Sequence, residues 1–191
     1  MRANRLRHGA LLLLLVLLST AASADAPDFA VDRVALRLEH GIYHLDADLR
    51  VSLSQEMTRA LNNGLPLVLV LEFELYEPRQ FVWDQRVARL TQEYVLQYHA
   101  LTRRYLVFNR NTEQQQSFPT LPAALAALGH VDGLPVLDQA LLEPGKSYLA
   151  RVRIGIDEGE LPVPLRVKFF FKRAWKAQSP WAELTLIRPA P

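Results

Sequence analysis

The sequence predicts a mainly β protein, a single-domain antiparallel β-sandwich of about eight strands with two short helices. Three observations carry this. Tyr43, Leu45, Ala47, Leu49 and Val51 alternate with His44, Asp46, Asp48, Arg50 and Ser52, a period of two that marks a half-buried strand. Turn signals recur about every ten residues along the chain. The largest apolar block, Leu65 to Phe108, reads as strands joined at corners, so the core must be built on it.

Residues 1–24 are set apart from the fold. Arg2, Arg5 and Arg7 precede the apolar run Ala10 to Leu18, and Ala22-Ser23-Ala24 has the small-x-small pattern of a cleavage site. The run is short of the roughly 20 residues a membrane span needs. We therefore expect a cleaved signal peptide, export to the periplasm, and one domain over 25–191. Every later apolar run is interrupted by charge, so no transmembrane span is expected after cleavage.

The 191-residue chain has 22 Lys plus Arg and 20 Asp plus Glu, and the leader holds three of the arginines and no acid. The expected mature chain thus carries 19 basic and 20 acidic side chains, which gives no argument for a nucleic-acid partner. With no Cys, disulfides, thiolate catalysis and Cys-ligated zinc are excluded. A chain of this size can hold together by its core alone.

In order, Val31 to Leu38 alternates, Glu39-His40-Gly41 breaks the pattern, and the next alternating run completes a hairpin. Ser54 reads as the N-cap of a helix with Met57 and Leu61 on one face and Gly64 as its stop. After Pro66 comes the central strand, apolar on both faces at first. From Glu72 one face turns acidic, so its end is expected to emerge toward solvent or a partner. Gln80 to Tyr98 is long enough for two strands or one bent strand, and Leu101 to Arg104 reads as a hairpin turn into Tyr105 to Phe108. Asn109 to Gln116 is read as an exposed polar loop. Thr120 caps a second helix, Leu121 to Leu128, stopped by Gly129. Glu143-Pro144-Gly145-Lys146 is a turn, followed by strands at Tyr148 to Ile156, Leu165 to Phe171 and Trp181 to Ile187.

Several segments resemble an exported proteobacterial family of unknown function, number 4390. They are LEFELYEPR (71–79), Val82-Trp83-Asp84, YVLQYHALTRRYLV (94–107), Ser117-Phe118, Thr120-Leu121, Leu161-Pro162, Pro164-Leu165 and Ser179-Pro180-Trp181. The resemblance covers nearly all of the expected mature chain. It implies an exported protein whose gene often neighbours that of a sensor kinase of the nitrogen-regulation type, and it brings no catalytic residues with it.

Glu72, Glu74 and Glu77 form the most carboxylate-rich spot. Paired carboxylates can serve as acid and base or as calcium ligands. Cross-strand pairing with Arg86, Arg89, Arg151 or Arg153 is the favoured reading. The histidines His40, His44, His99 and His130 have no ligand spacing, so no metal site is expected, and no motif calls for a cofactor. Gly-x-Ser-x-Gly and Gly-rich phosphate loops are absent.

The candidate binding residues are two groups. Arg166, Lys168, Lys172, Arg173 and Lys176 are interleaved with aromatics including Trp175, a composition suited to an anionic membrane surface, a glycan or an acidic partner. A solubilised edge strand explains the same residues. Tyr98, His99 and Arg103 make a smaller polar-aromatic spot, for which a satisfied strand-end histidine is the plainer explanation. Trp83, Trp175 and Trp181 are expected to anchor the core.

Together these point to a non-enzymatic periplasmic interaction module, an accessory of an envelope-sensing system with a membrane protein such as a sensor kinase as partner. A hydrolase of an envelope polymer using Glu72, Glu74 or Asp84 is the alternative, and a chaperone-like sheet-edge binder is a third.

Overall fold

The computed structural model describes residues 26–79, 84–160 and 177–188. Its first hairpin is the one the alternation predicts. Strands β1 (Asp28–Glu39) and β2 (Ile42–Ser52) turn through His40 and Gly41, both at positive φ. On β2 the odd positions Tyr43, Leu45, Ala47 and Leu49 are buried. Helix α1 (Gln55–Asn62) follows, with the Ser54 hydroxyl accepting from Met57 N at 3.1 Å. Met57 and Leu61 are its fully buried pair, and Gly64 sits at φ +91, where only glycine is unstrained.

Strand β3 (Leu67–Glu77) is central. It pairs on one side with β4 (Gln85–His99) and on the other with β8 (Ser147–Ile156). Its inward residues Leu69, Leu71, Phe73 and Leu75 stand opposite Ile156, Ile154, Val152 and Ala150, and all eight are buried. Burying each Leu or Phe there contributes about 1.5–3 kcal/mol. Of the stretch Gln80 to Tyr98, residues 80–83 lie outside the described residues, and Gln85–His99 is one long strand with a register shift near its start.

Among the described residues there are nine strands, all antiparallel, in two sheets. The larger has the order β6-β5-β4-β3-β8-β9, with β5 Arg104–Asn109, β6 Gln115–Phe118 and β9 Ala182–Ile187. The smaller is β1-β2-β7, with β7 at His130–Asp138. The smaller sheet packs with β1 over β8 and β9, while α2 (Leu121–Leu128) rests among β2, β5, β6 and β7. The Thr120 hydroxyl accepts from Ala123 N as the cap of α2. At its end Gly129 O accepts from Leu49 N at 2.7 Å. A Cβ at Gly129 would lie 2.5 Å from Leu49 O, so this approach requires glycine.

Two elements differ from expectation. Residues 109–116 are not all loop, because Gln115–Phe118 pairs with β5 as a short edge strand. Strand β7 carries no clean alternation, since its pairing with β2 shifts register twice. The expected strand at Leu165 to Phe171 lies outside the described residues. No described helix is long and apolar enough to cross a membrane.

Candidate functional site

On β3 the even positions point away from the core, so Glu72, Glu74 and Tyr76 form one row on the outer face of the larger sheet. The register places Glu72 between Thr91 and Arg153, Glu74 between Arg89 and Arg151, and Tyr76 between Arg86 and Leu149. Of the two expectations for this row, solvent or a partner, the solvent-facing one is corrected for the carboxylates: Glu72 is 7% exposed and Glu74 4%.

Arginines make that burial tolerable. Glu72 accepts from Arg89 at 2.7 Å through one oxygen and from Arg153 through the other. One oxygen of Glu74 accepts from Arg151 Nε and Nη2 at 2.9 and 2.6 Å and from the Tyr76 hydroxyl at 2.9 Å. Its other oxygen takes Arg86 at 3.4 Å, with Arg89 at 3.8 Å. All four arginines that the sequence offered as partners are on the two carboxylates. Burial alone pushes the Glu74 carboxyl up, but the hydrogen bonds from Arg151 and Tyr76 and the charges of Arg151 and Arg89 hold it below its usual range.

Trp181 closes the cluster. Its ring lies 4.4 Å from the Arg151 guanidinium and 4.2 Å from that of Arg153, and Tyr76 stacks on Arg151 at 4.4 Å. This corrects the expectation of a core tryptophan. Ala182 pairs with Val152 and faces inward, so the preceding Trp181 turns to the outer face. Trp83 and Trp175 lie outside the described residues.

The cluster is unequal in its exposure. Arg151 and Arg153 are 28% and 27% exposed, whereas Arg86 and Arg89 are 51% and 48% exposed. Arg86 makes only the long contact to Glu74 among the described residues, so most of its N–H groups face water. Glu183 stands across from Arg151 on β9 and is exposed. Beside the cluster, a recess of about 300 Å3 is lined by Val70, Glu72, Arg89, Asp157 and Gln178 among others.

Of the other candidates, Tyr98 and His99 face opposite sides of β4. Tyr98 packs inward against Tyr105 with ring centroids 5.0 Å apart. His99 Nδ1 lies 2.9 Å from the Thr102 hydroxyl and ties off the β4–β5 turn. Arg103 is exposed in that turn at φ +53. The three do not form one site. Arg166, Lys168, Lys172, Arg173, Trp175 and Lys176 lie outside the described residues. Asp84 is exposed and accepts from Arg79 N at 3.1 Å. Among the described residues no group of three or more His, Asp or Glu is placed to hold a metal ion.

No curated protein and no solved structure matches the chain. A family match runs over residues 26–185, which takes in β1 to β8, both helices, the whole arginine cluster with Trp181, and much of β9. The chain belongs to the family described as Domain of unknown function (DUF4390).

Proposed function

We propose that this chain is an exported, non-enzymatic interaction module of the periplasm, which holds an envelope partner through the outer face of its larger sheet. The observation that carries the reading is the pair Arg86 and Arg89. Both guanidiniums are half exposed on the strand that flanks Tyr76, and their carboxylate partners are already shared with Arg151 and Arg153. Such arginines keep donors for an acidic surface, and arginine and tryptophan are the residues that most often dominate binding energy at interfaces. The resemblance, with its neighbouring sensor-kinase gene, makes a membrane sensor the first partner to test.

The alternative hydrolase reading draws on Glu72 and Glu74. Each spends both carboxylate oxygens on arginine, which favours a structural role for the pair. A sheet-edge chaperone would draw on the larger sheet's edge strands β6 and β9, of which β6 is only four residues long.

The test is photo-crosslinking in living cells with a photoreactive residue at the exposed Arg79, with and without Arg86→Glu. The expected result is capture of one envelope protein through Arg79, lost when Arg86 is reversed while export and folding persist. Capture of nothing, or capture indifferent to Arg86→Glu, would overturn the proposal.

A further inference from the structure

The sandwich has an open flank along β1. This strand is an edge of the smaller sheet and pairs only with β2 among the described residues. Its side chains Val34, Leu36 and Leu38 point inward, opposite Ala47, Leu45 and Tyr43 of β2. Those three on β2 are fully covered, yet Val34 and Leu36 are only partly buried and Leu38 is 39% exposed. The apolar layer thus runs out at β1 with no further strand beside it among the described residues.

The backbone of this edge is also free to pair. The two-residue turn His40-Gly41, with φ of +50 and +83, closes on the hydrogen-bonded pair Glu39 and Ile42. Ladder alternation then turns the N–H and C=O groups of Arg33, Ala35 and Arg37 toward β2, and those of Val34, Leu36 and Leu38 toward the open side. The far side of β2 agrees, since Leu49 N, at an odd position, reaches away from β1 to Gly129 O. The other edges are shorter or guarded. Strand β7 is broken by Pro135 and two register shifts, β6 is four residues long with Arg104 Nη2 on Ser117 O at 2.8 Å, and β9 has six residues. From Arg33 to Glu39, β1 has no Pro, Gly or Lys, and its bulge lies before that stretch.

Charge names the occupant. Laid antiparallel to itself about Leu36, β1 sets Leu36 against Leu36 and Val34 against Leu38 of a second copy, so all the outward backbone groups of these residues find partners and apolar meets apolar. On the outer face the same register sets Arg33 against Glu39 of the second copy, and Ala35 against Arg37. A slip of two residues would oppose Arg33 to Arg37, or Arg37 to Arg37, and like charges directly opposite are destabilising. The side chains of Arg33 and Glu39 are 63% and 47% exposed. Among the described residues Arg33 donates only through Nε, to Asp48, and Glu39 accepts only through Oε1, from Arg37. Both keep capacity for a second partner.

We propose that the chain forms a two-fold dimer by antiparallel pairing of β1 with β1 of a second copy, centred on Leu36. The two smaller sheets join as β7-β2-β1-β1-β2-β7. Directly opposed residues share a face, so both arginine faces look the same way, and a partner with two sites gains avidity. The pairing makes no use of the arginine face and stands apart from the function proposed above.

The test exploits a chain that has no Cys of its own. Arg33→Cys and Glu39→Cys chains are mixed under mild oxidation and run on a non-reducing gel. Opposed residues between hydrogen-bonded pairs have Cα atoms about 4.5 Å apart, within disulfide reach, whereas like positions lie about 20 Å apart. The expected result is a linked dimer in the mixture and none in either chain alone, with circular dichroism unchanged. An edge pairing is a small interface, so sedimentation of the parent chain from about 10 µM to about 1 mM should show a weak, concentration-dependent dimer. Arg33→Glu should weaken it about tenfold, and Arg33→Glu with Glu39→Arg should restore it. No dimer of the parent chain, linkage in either single-Cys chain alone, no linkage in the mixture, or a dimer indifferent to Arg33→Glu would overturn the proposal.

Discussion

The two outer faces of the sandwich carry the same chemistry in different solvents. On the smaller sheet Arg33 pairs with Asp48 at 2.7 Å, Arg37 with Asp46, and Arg50 with Asp28 at 3.0 Å, a ladder whose arginine side chains are 47–63% exposed. On the larger sheet the partners are Glu72 and Glu74, whose side chains are 10% and 6% exposed. Water screens the Arg33 and Arg50 pairs, so each adds little to stability, and only Asp46, 15% exposed, is partly withdrawn from water. In the second set the carboxylates have left water, and they tolerate this only while the guanidiniums remain. Ion pairs of the same kind thus make one face replaceable and the other a structural constraint.

The sharpest break of this contrast is Glu74→Gln. It leaves Arg151 and Arg86 without their anion, and removing one partner of a buried pair costs about 3–5 kcal/mol. Chemical denaturation should show a lowered midpoint with an unchanged slope. A loss below about 1 kcal/mol would mean that the cluster is solvated after all.

Trp181→Ala comes next. It removes two ring–guanidinium contacts, at 4.4 and 4.2 Å, worth together about 1–3 kcal/mol. It also opens Arg151 and Arg153 to water, so the stability loss should become more dependent on salt than in the parent chain. Thermal unfolding at low and high salt measures both.

Much of this contrast was legible in the sequence. A period of two on β2 and β8 exposed the faces, and residues two apart, such as Glu72 with Glu74 or Arg151 with Arg153, had to share one. Pairing of these carboxylates with these arginines followed. What the sequence hid has physical causes. The inward residues of β7, Val131, Leu134 and Leu137, are three apart because register shifts insert extra residues, and that spacing imitates a helix and conceals a strand. Strand β6 opens with Gln115 and Gln116, one on each face, so its start looked like loop. Trp181 was misplaced because a tryptophan's size argues for the core; only the β8–β9 register turns it outward.

Acid should act on both faces. The Glu74 carboxyl is held below its ordinary 4.5, and Asp48 below its ordinary 3.8 by the hydrogen bonds from Arg33 and His130. A depressed carboxylate contributes stability that is complete above its unfolded value and lost as pH falls through its folded value. Stability should therefore hold down to about pH 5 and decline below it. In Glu74→Gln the decline should be shallower, because that proton uptake has been removed. Urea midpoints measured across the acid range check this, and an identical slope in parent and variant would place the acid sensitivity elsewhere.

The smallest effect is expected on the smaller sheet. Asp48→Asn removes the charge that Arg33 and His130 share, but both partners are more than 60% exposed and water replaces what they lose. The asparagine keeps a hydrogen-bonding oxygen for Arg33. The thermal midpoint should move slightly at low salt, and the difference should vanish at high salt, where exposed charges are screened. A large, salt-resistant loss would show that the ladder is as desolvated as the glutamate pair. The difference between the faces would then lie in their shape rather than their solvation, and the half-exposed arginines of the larger sheet would lose their claim to be the chain's binding surface.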